Sequence, residues 1–353
     1  MVSAIAVEKI ESIHLLRGIT IAVIVFRHSL FIFDSQSLPV DFFAQIVDEI
    51  SFNWTVCFVL ISGYLFQHLA PRYETRKYLL SRFKHVLVPY VVVSFVCFFL
   101  LHCETMQAMP WFSADGNNAV FWIFQMLLTG EHGEAFWYIP MIAVIFCVSP
   151  LLASLSKKDL ALAAVICLLL TVMTFKPEPG ETLKNLLHYL PVYIVGMYIR
   201  QKKDFFERHS AGNLWALNVF FLATVAMSFH KKMGLAWLNI ADDYLMTLEN
   251  IILFVLLYHC LENMRLPGWC TKLLSYLADI SFSVYFLHML IIKGLVAVFA
   301  VFPWWYTVTT FENGLLSTFM NTLFTVAVLL LCSGSIMLVK LVAGKKSRLL
   351  LGS

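Results

Sequence analysis

Long apolar stretches recur along the whole 353-residue chain, and they constrain its fold more than any single motif does. Lipid offers no partner to backbone N–H and C=O groups, so a segment that crosses it closes its own hydrogen bonds as a helix. Spanning roughly 30 Å of hydrocarbon takes about 20 mostly apolar residues. Reading the apolar runs against their polar breaks predicts ten crossings, near 15–33, 51–68, 86–102, 136–154, 160–175, 187–199, 213–229, 245–261, 278–302 and 315–339. The twelve residues Ala119–Gly130 are apolar but too short to span, and read as a re-entrant or interfacial helix. Only 13% of the residues are charged and 60% are hydrophobic, whereas soluble domains carry about 25% charge. The expected fold class is therefore all-α: a polytopic transmembrane helix bundle, with residues 1–353 as a single membrane domain.

Basic residues set the orientation. With the N-terminus inside, nineteen Lys and Arg fall in the inner segments, among them Arg76, Lys77, Arg82, Lys84, Lys202, Lys203, Lys345, Lys346 and Arg348. Four fall outside: Lys176, Lys184, Lys231 and Lys232. Acidic residues mark the outer loops, with Asp34, Asp41, Asp48, Glu49, Glu104, Asp115, Glu131 and Glu134. An N-in, C-in topology with an even number of spans follows. Glu8, Lys9 and Glu11 before the first run, and Arg27 with His28 inside it, argue against a cleavable signal peptide. The longest connection, about 103–135, carries turn chemistry at Pro110-Trp111 and Asp115-Gly116-Asn117-Asn118. The eight cysteines form no CxxC pair and read as small core hydrophobes. A net charge of +3 without a dense basic block excludes nucleic acid as a partner.

Ionisable groups within a span are costly and are candidates for function. Arg17 and His28, eleven residues apart in the first span, return to nearly the same helix face about 16 Å apart along the axis. Arg17 also reads as an anchor that snorkels to the inner boundary. Arg82, Lys84 and His85 gather at the inner start of the third span, where they suit phosphate groups and equally obey the positive-inside bias. Ser281, Tyr285 and His288 share one face of the ninth span, as catalytic groups or as interhelical hydrogen-bonding ones. Trp137-Tyr138 follows His132 and Glu134 before the fourth span, where such aromatics commonly form an interfacial belt. No metal-ligand spacing and no phosphate-cradling glycine loop occurs, so no metal is expected.

These segments, in this order, resemble the acyltransferase-3 family of bacterial integral-membrane proteins that O-acylate carbohydrates. Leu16-Arg17-Gly18 followed by His28 is similar to the family's Arg-x10-His first helix, and Ile61-Ser62-Gly63-Tyr64 to its second-helix turn. Arg82-Phe83-Lys84-His85 through Pro89-Tyr90 resembles its basic segment, and Trp137-Tyr138 through Ser149-Pro150 its Trp-aromatic helix. Ser281-Phe282-Ser283-Val284-Tyr285 with His288 resembles its Ser-aromatic helix. Three positions depart: His14 stands where an acidic residue commonly precedes Arg17, Ala135 where a His often precedes the Trp, and His85 where Arg often ends the basic motif.

The resemblance implies an acyl-CoA donor, usually acetyl-CoA, and a hydroxyl of a carbohydrate, lipid-linked or at the cell surface, as acceptor. The enzyme would sit in the bacterial cytoplasmic (inner) membrane. A sugar hydroxyl is a weak nucleophile near neutral pH, and a positioned imidazole accelerates its attack by roughly 10²–10⁴-fold. On this reading His28 is the base and Arg17 orients the thioester or a CoA phosphate in the same cavity. Arg82, Lys84 and His85 hold the donor phosphates, while Ser281, Tyr285, His288 and Trp137 line the cavity, with an oxyanion donor from the Ser281, Tyr285 and His288 stripe. His28 then lies toward the outer half of the membrane, although CoA is cytosolic. A multi-span transporter or flippase of a glycan or small anion is the competing class, since it too uses intramembrane Arg and His.

Overall fold

The structure, a computed structural model, describes residues 10–30, 42–101, 118–174, 177, 178, 180–206, 215, 218–223, 226, 242–302 and 314–352. Among the described residues the chain is helical throughout and contains no strand. The helices are α1 (Glu11–Ser29), α2 (Phe42–Ser51), α3 (Thr55–Leu69), α4 (Thr75–Arg82), α5 (Val88–Leu101), α6 (Asn118–Thr129), α7 (Tyr138–Cys147) and α8 (Ser149–Leu155). They continue with α9 (Ala161–Met173), α10 (Thr182–Gln201), α11 (Asp242–Asn263), α12 (Gly268–Ala300), α13 (Gly314–Ala343) and the short α14 (Ser347–Leu351).

Four described stretches are each long and apolar enough to cross a bilayer: Ile46–Arg72, Thr75–Phe98, Gly268–Ala300 and Gly314–Leu351. A fifth forms if α7 and α8, which meet at 61°, count as one broken span. The break falls at Ser149-Pro150, where proline removes an N–H and suits the first turn of a new helix. Other predicted runs form helices that are shorter or interrupted, such as the 13-residue α9 and α1 with Arg17, Arg27 and His28 inside it. The predicted crossing at 213–229 lies largely outside the described residues. So do the predicted turns at Pro110-Trp111 and Asp115–Asn117, Cys103, and the topology charges Lys9, Asp34, Asp41, Glu104, Lys176, Arg208, Lys231 and Lys232.

Two helix pairs organise the bundle, α3 with α10 and α1 with α12. Without water to drive helices together, close backbone approach and van der Waals contact must hold them. A Cβ added at Gly63 would run into the Tyr193 carbonyl, and one at Gly196 into the Leu60 carbonyl, so α3 and α10 cross through reciprocal glycines. Gly18 likewise brings α1 against the Leu274 carbonyl of α12. That contact fixes the level at which Arg17 meets α12.

Between α4 and α5 the chain makes a π-helical turn, Phe83–Leu87, closed by the Val88 N–H on the Phe83 carbonyl. Its cause is Pro89, whose ring would strike the His85 carbonyl four residues back in a regular α-helix and which has no N–H to give it. The wider turn relieves that clash, and such turns recur at functional sites.

Candidate active site

The site grows from the α1–α12 pair. An Arg17 Nη donates to the Ala278 carbonyl at 2.6 Å. Asp279, the next residue, supplies the nearby negative charge. The same carboxylate lies 3.4 Å from His14 Nε2, which is also 3.2 Å from the Ser275 carbonyl. The counter-charge that the first helix lacks at position 14 is thus provided across the interface by α12. Three turns further along α1, the His28 ring lies 5.2 Å from that of His288, tilted by 49°.

Two cavities open at these two levels, and they share no lining residue. The first, about 490 Å³, is basic: Arg17, Arg82, His85 and Arg348 line it, with Asp279 as its carboxylate. The Arg82 guanidinium lies 4.9 Å from the Tyr78 ring centroid and 5.3 Å from that of Phe146. Aromatic faces on its flanks hold the planar cation in place while leaving its edge for hydrogen bonds. The Nε atoms of Arg17 and Arg82 and the Nδ1 of His85 are buried without a hydrogen-bond partner among the described residues. Several unsatisfied nitrogens converging on one cationic cavity suit an anion with multiple acceptor oxygens.

The second cavity, about 690 Å³, is aromatic and polar, lined by His28, Phe52, Asn53, Trp54, Trp137 and others. Trp137 stacks near Tyr189 at 5.4 Å between centroids. Across the mouth Lys293 pairs with Glu134 at 3.2 Å, and Arg27 pairs with Asp48. Asn53 is buried and adopts a left-handed backbone conformation with φ of 54°. Its Oδ1 accepts from the Tyr189 hydroxyl at 3.0 Å, while its amide nitrogen has no partner among the described residues. Aromatic faces beside amide, carboxylate and ammonium groups are the chemistry that grips a polyhydroxylated ring.

Between the cavities stand His288 and Tyr285. His288 is fully buried, and its Nδ1 is 3.1 Å from the Val284 carbonyl. A carbonyl needs a donor, so Nδ1 carries the hydrogen and Nε2 of the neutral ring keeps its lone pair. That Nε2 has no partner among the described residues. The Tyr285 ring lies 5.9 Å from His288 on one side and 5.6 Å from Tyr138 on the other. Among the described residues no group of three His, Cys, Asp or Glu side chains is placed to hold a metal ion.

A family model described as an acyltransferase domain, of the acyltransferase-3 type, matches residues 10–341. The chain belongs to the acyltransferase-3 family. Neither a curated protein nor a solved structure matches it. As a member of that family with helices apolar enough to span a bilayer, it is an integral-membrane acyltransferase.

The acyltransferase brings together most of the predicted residues but regroups them. Arg17 and His28 line different cavities rather than one, because eleven helical residues separate them by more than one cavity's depth. Lys84 is exposed and does not line the basic cavity, since it follows Arg82 by two residues and leaves the helix on another side. Ser281 and Tyr285 do line that cavity. Their hydroxyl hydrogens, however, are donated to the carbonyls of Ala278 and Ala135, so neither is poised to hold an oxyanion. Trp137 lines the aromatic cavity instead. His132 enters neither: it packs against Phe98 at 4.8 Å and hydrogen-bonds Ser94 at 2.7 Å, as a core residue.

Four lining residues escaped the sequence reading. Asp279 was visible only as a neighbour of the Ser281 stripe. Tyr78 lies between the second and third predicted crossings, and Asn53 within the second. Arg348 sat among the basic residues that set topology.

Proposed function

We propose that this membrane acyltransferase is an O-acetyltransferase, which moves an acetyl group from acetyl-CoA to a hydroxyl of a lipid-linked or cell-surface carbohydrate. The observation that carries the reading is the pair of cavities, one basic and walled by Tyr285, the other aromatic and lined by His28, whose ring lies 5.2 Å from that of His288. The basic cavity suits the CoA phosphates, with Arg82, Arg17 and His85 as their partners. The aromatic cavity suits a sugar, with Trp137 as a ring platform and Asn53 as a hydrogen-bonding anchor.

His28 lines the acceptor side and acts as the general base. It takes the proton from the acceptor hydroxyl as that oxygen bonds to the thioester carbonyl carbon. The carbon–sulfur bond then breaks, and the thiolate of CoA leaves and takes up a proton. His288 is a positioning residue: its Nε2 lone pair, close to the His28 ring, stabilises the imidazolium that forms. For attack to occur the thioester must reach the His28 level, about 14 Å along α12 from Asp279 to His288 at 1.5 Å per residue. The Tyr285 side chain is the obstacle on that route, and its displacement by the acyl arm would join the two cavities.

The same reading supports a single membrane domain over residues 1–353 with about ten spans, N-in and C-in, in the bacterial cytoplasmic membrane. In that topology the basic cavity faces the cytosol, where CoA is, and the aromatic cavity faces the outer surface. The earlier difficulty, a cytosolic donor and an outward base, is met by two half-sites rather than one. His28→Ala is the direct test, with acetylated acceptor glycan measured in membranes supplied with labelled acetyl-CoA. Loss of transfer by at least 100-fold with unchanged protein level is expected. Normal acetylation in that variant removes His28 as the base.

A further inference from the structure

The family match ends at residue 341, but the basic cavity does not. Beyond α13 the chain passes through a 3-10 turn, Gly344–Lys346, into α14, which with Gly352 lies against the π-helical turn and α5. Ser347 and Leu351 are buried in that contact. The Ser283 hydroxyl of α12 donates to the Leu351 carbonyl at 2.7 Å, in a buried position. Gly352 closes the segment in the left-handed region, with φ of 82°. A Cβ there would lie 2.6 Å from the Phe282 ring and 3.2 Å from the His85 carbonyl, the carbonyl that Pro89 leaves without its helical donor. Glycine is therefore required twice, for its φ and for its lack of a side chain.

This anchoring fixes the backbone that carries Arg348, an exposed residue that lines the cavity with Arg17 and Arg82. Arg348 is also within electrostatic reach of His85, together with Lys84 and Arg82. Like charges are not gathered at one rim by their own interaction, since each repels the rest. An exposed arginine kept at this cationic rim by a segment whose backbone is anchored at Leu351 and Gly352, beyond the matched domain, is explained by an anionic ligand.

We infer that the segment 347–352 is a wall of the donor site, in which Arg348 is a specificity residue for the phosphates of a CoA-type thioester. The inference rests on the donor reading given above. A phosphate could also come from a lipid headgroup at the same rim, so the test separates the two sources.

The full chain is placed in nanodiscs of phosphatidylcholine alone, and binding of CoA and of pantetheine, which lacks the phosphates, is measured. Arg348→Ala is expected to weaken CoA about tenfold, the scale of one charge-assisted hydrogen bond, and to leave pantetheine unchanged. Arg348→Lys keeps the charge but not the planar fork and should fall between the two. Gly352→Val, which displaces the segment without touching a charge, should reproduce the loss for CoA. Equal CoA affinity in wild type and Arg348→Ala overturns the inference while leaving the donor reading intact. Wild type that binds no CoA overturns both. A loss for Arg348→Ala that appears only when anionic lipid is added assigns the residue to a headgroup and overturns the inference.

Discussion

At the scale of single residues, the buried histidines divide by what each touches. His132 satisfies both ring nitrogens within the core, at 3.0 Å from the Met126 carbonyl and 2.7 Å from the Ser94 hydroxyl, so it is a packing residue. His288 satisfies one nitrogen only, and its neighbour is the ring of His28 rather than a carboxylate. A base must be unprotonated to accept a proton, so transfer should slow as pH is lowered if an imidazole takes that proton. Measured at saturating donor between about pH 5 and 8, a rate that does not fall on the acid side would remove the imidazole from the proton-transfer step. His288→Gln should lower kcat with little change in donor KM, because it alters the imidazolium's surroundings and no phosphate contact. A change confined to KM would make it a binding residue.

At the scale of helices, the sequence carried much of the site because the spacing of residues on a helix survives folding. Arg17 and His28 were readable as one face of α1, and Ser281, Tyr285 and His288 as one face of α12. What no single helix can reveal is how two helices are shifted along each other. That shift puts Asp279 beside Arg17, replacing an acid absent from position 14. Glycine crossings set such shifts. Gly63→Leu places a side chain where the Tyr193 carbonyl already lies, and no rotamer avoids a backbone atom. It should cost about 3 kcal/mol or more, seen as a lower midpoint of thermal unfolding in detergent. An unchanged midpoint would mean that α3 and α10 do not cross as described.

At the scale of the molecule, a chain with few charges makes each placement informative, yet the same rule hid one residue. Arg348 was one of nineteen basic residues that orient the bundle, and nothing in a linear run marks a residue that folds back to a cavity. Crossing number was the least legible feature, since polar groups needed for a site shorten the apolar runs that announce a span. Orientation can be measured directly in a background with Cys147, which is exposed, changed to Ser. Glu131→Cys should react with a membrane-impermeant thiol reagent in intact cells, and Lys157→Cys only after permeabilisation. The reverse pattern would invert the bundle and exchange the sides of the two cavities.

The wall formed by His288 and Tyr285 has one more consequence. In the proposed topology the two cavities open on opposite faces of the membrane, with His28 on the wall of one and Tyr285 on the wall of the other. Imidazoles pass protons readily, and an energised membrane drives protons toward any continuous chain of water and titratable groups. With its hydroxyl tied to the Ala135 carbonyl, Tyr285 would plug such a chain. On the proposed mechanism, the plug that an acyl group would push aside would also keep the proton gradient intact between turnovers.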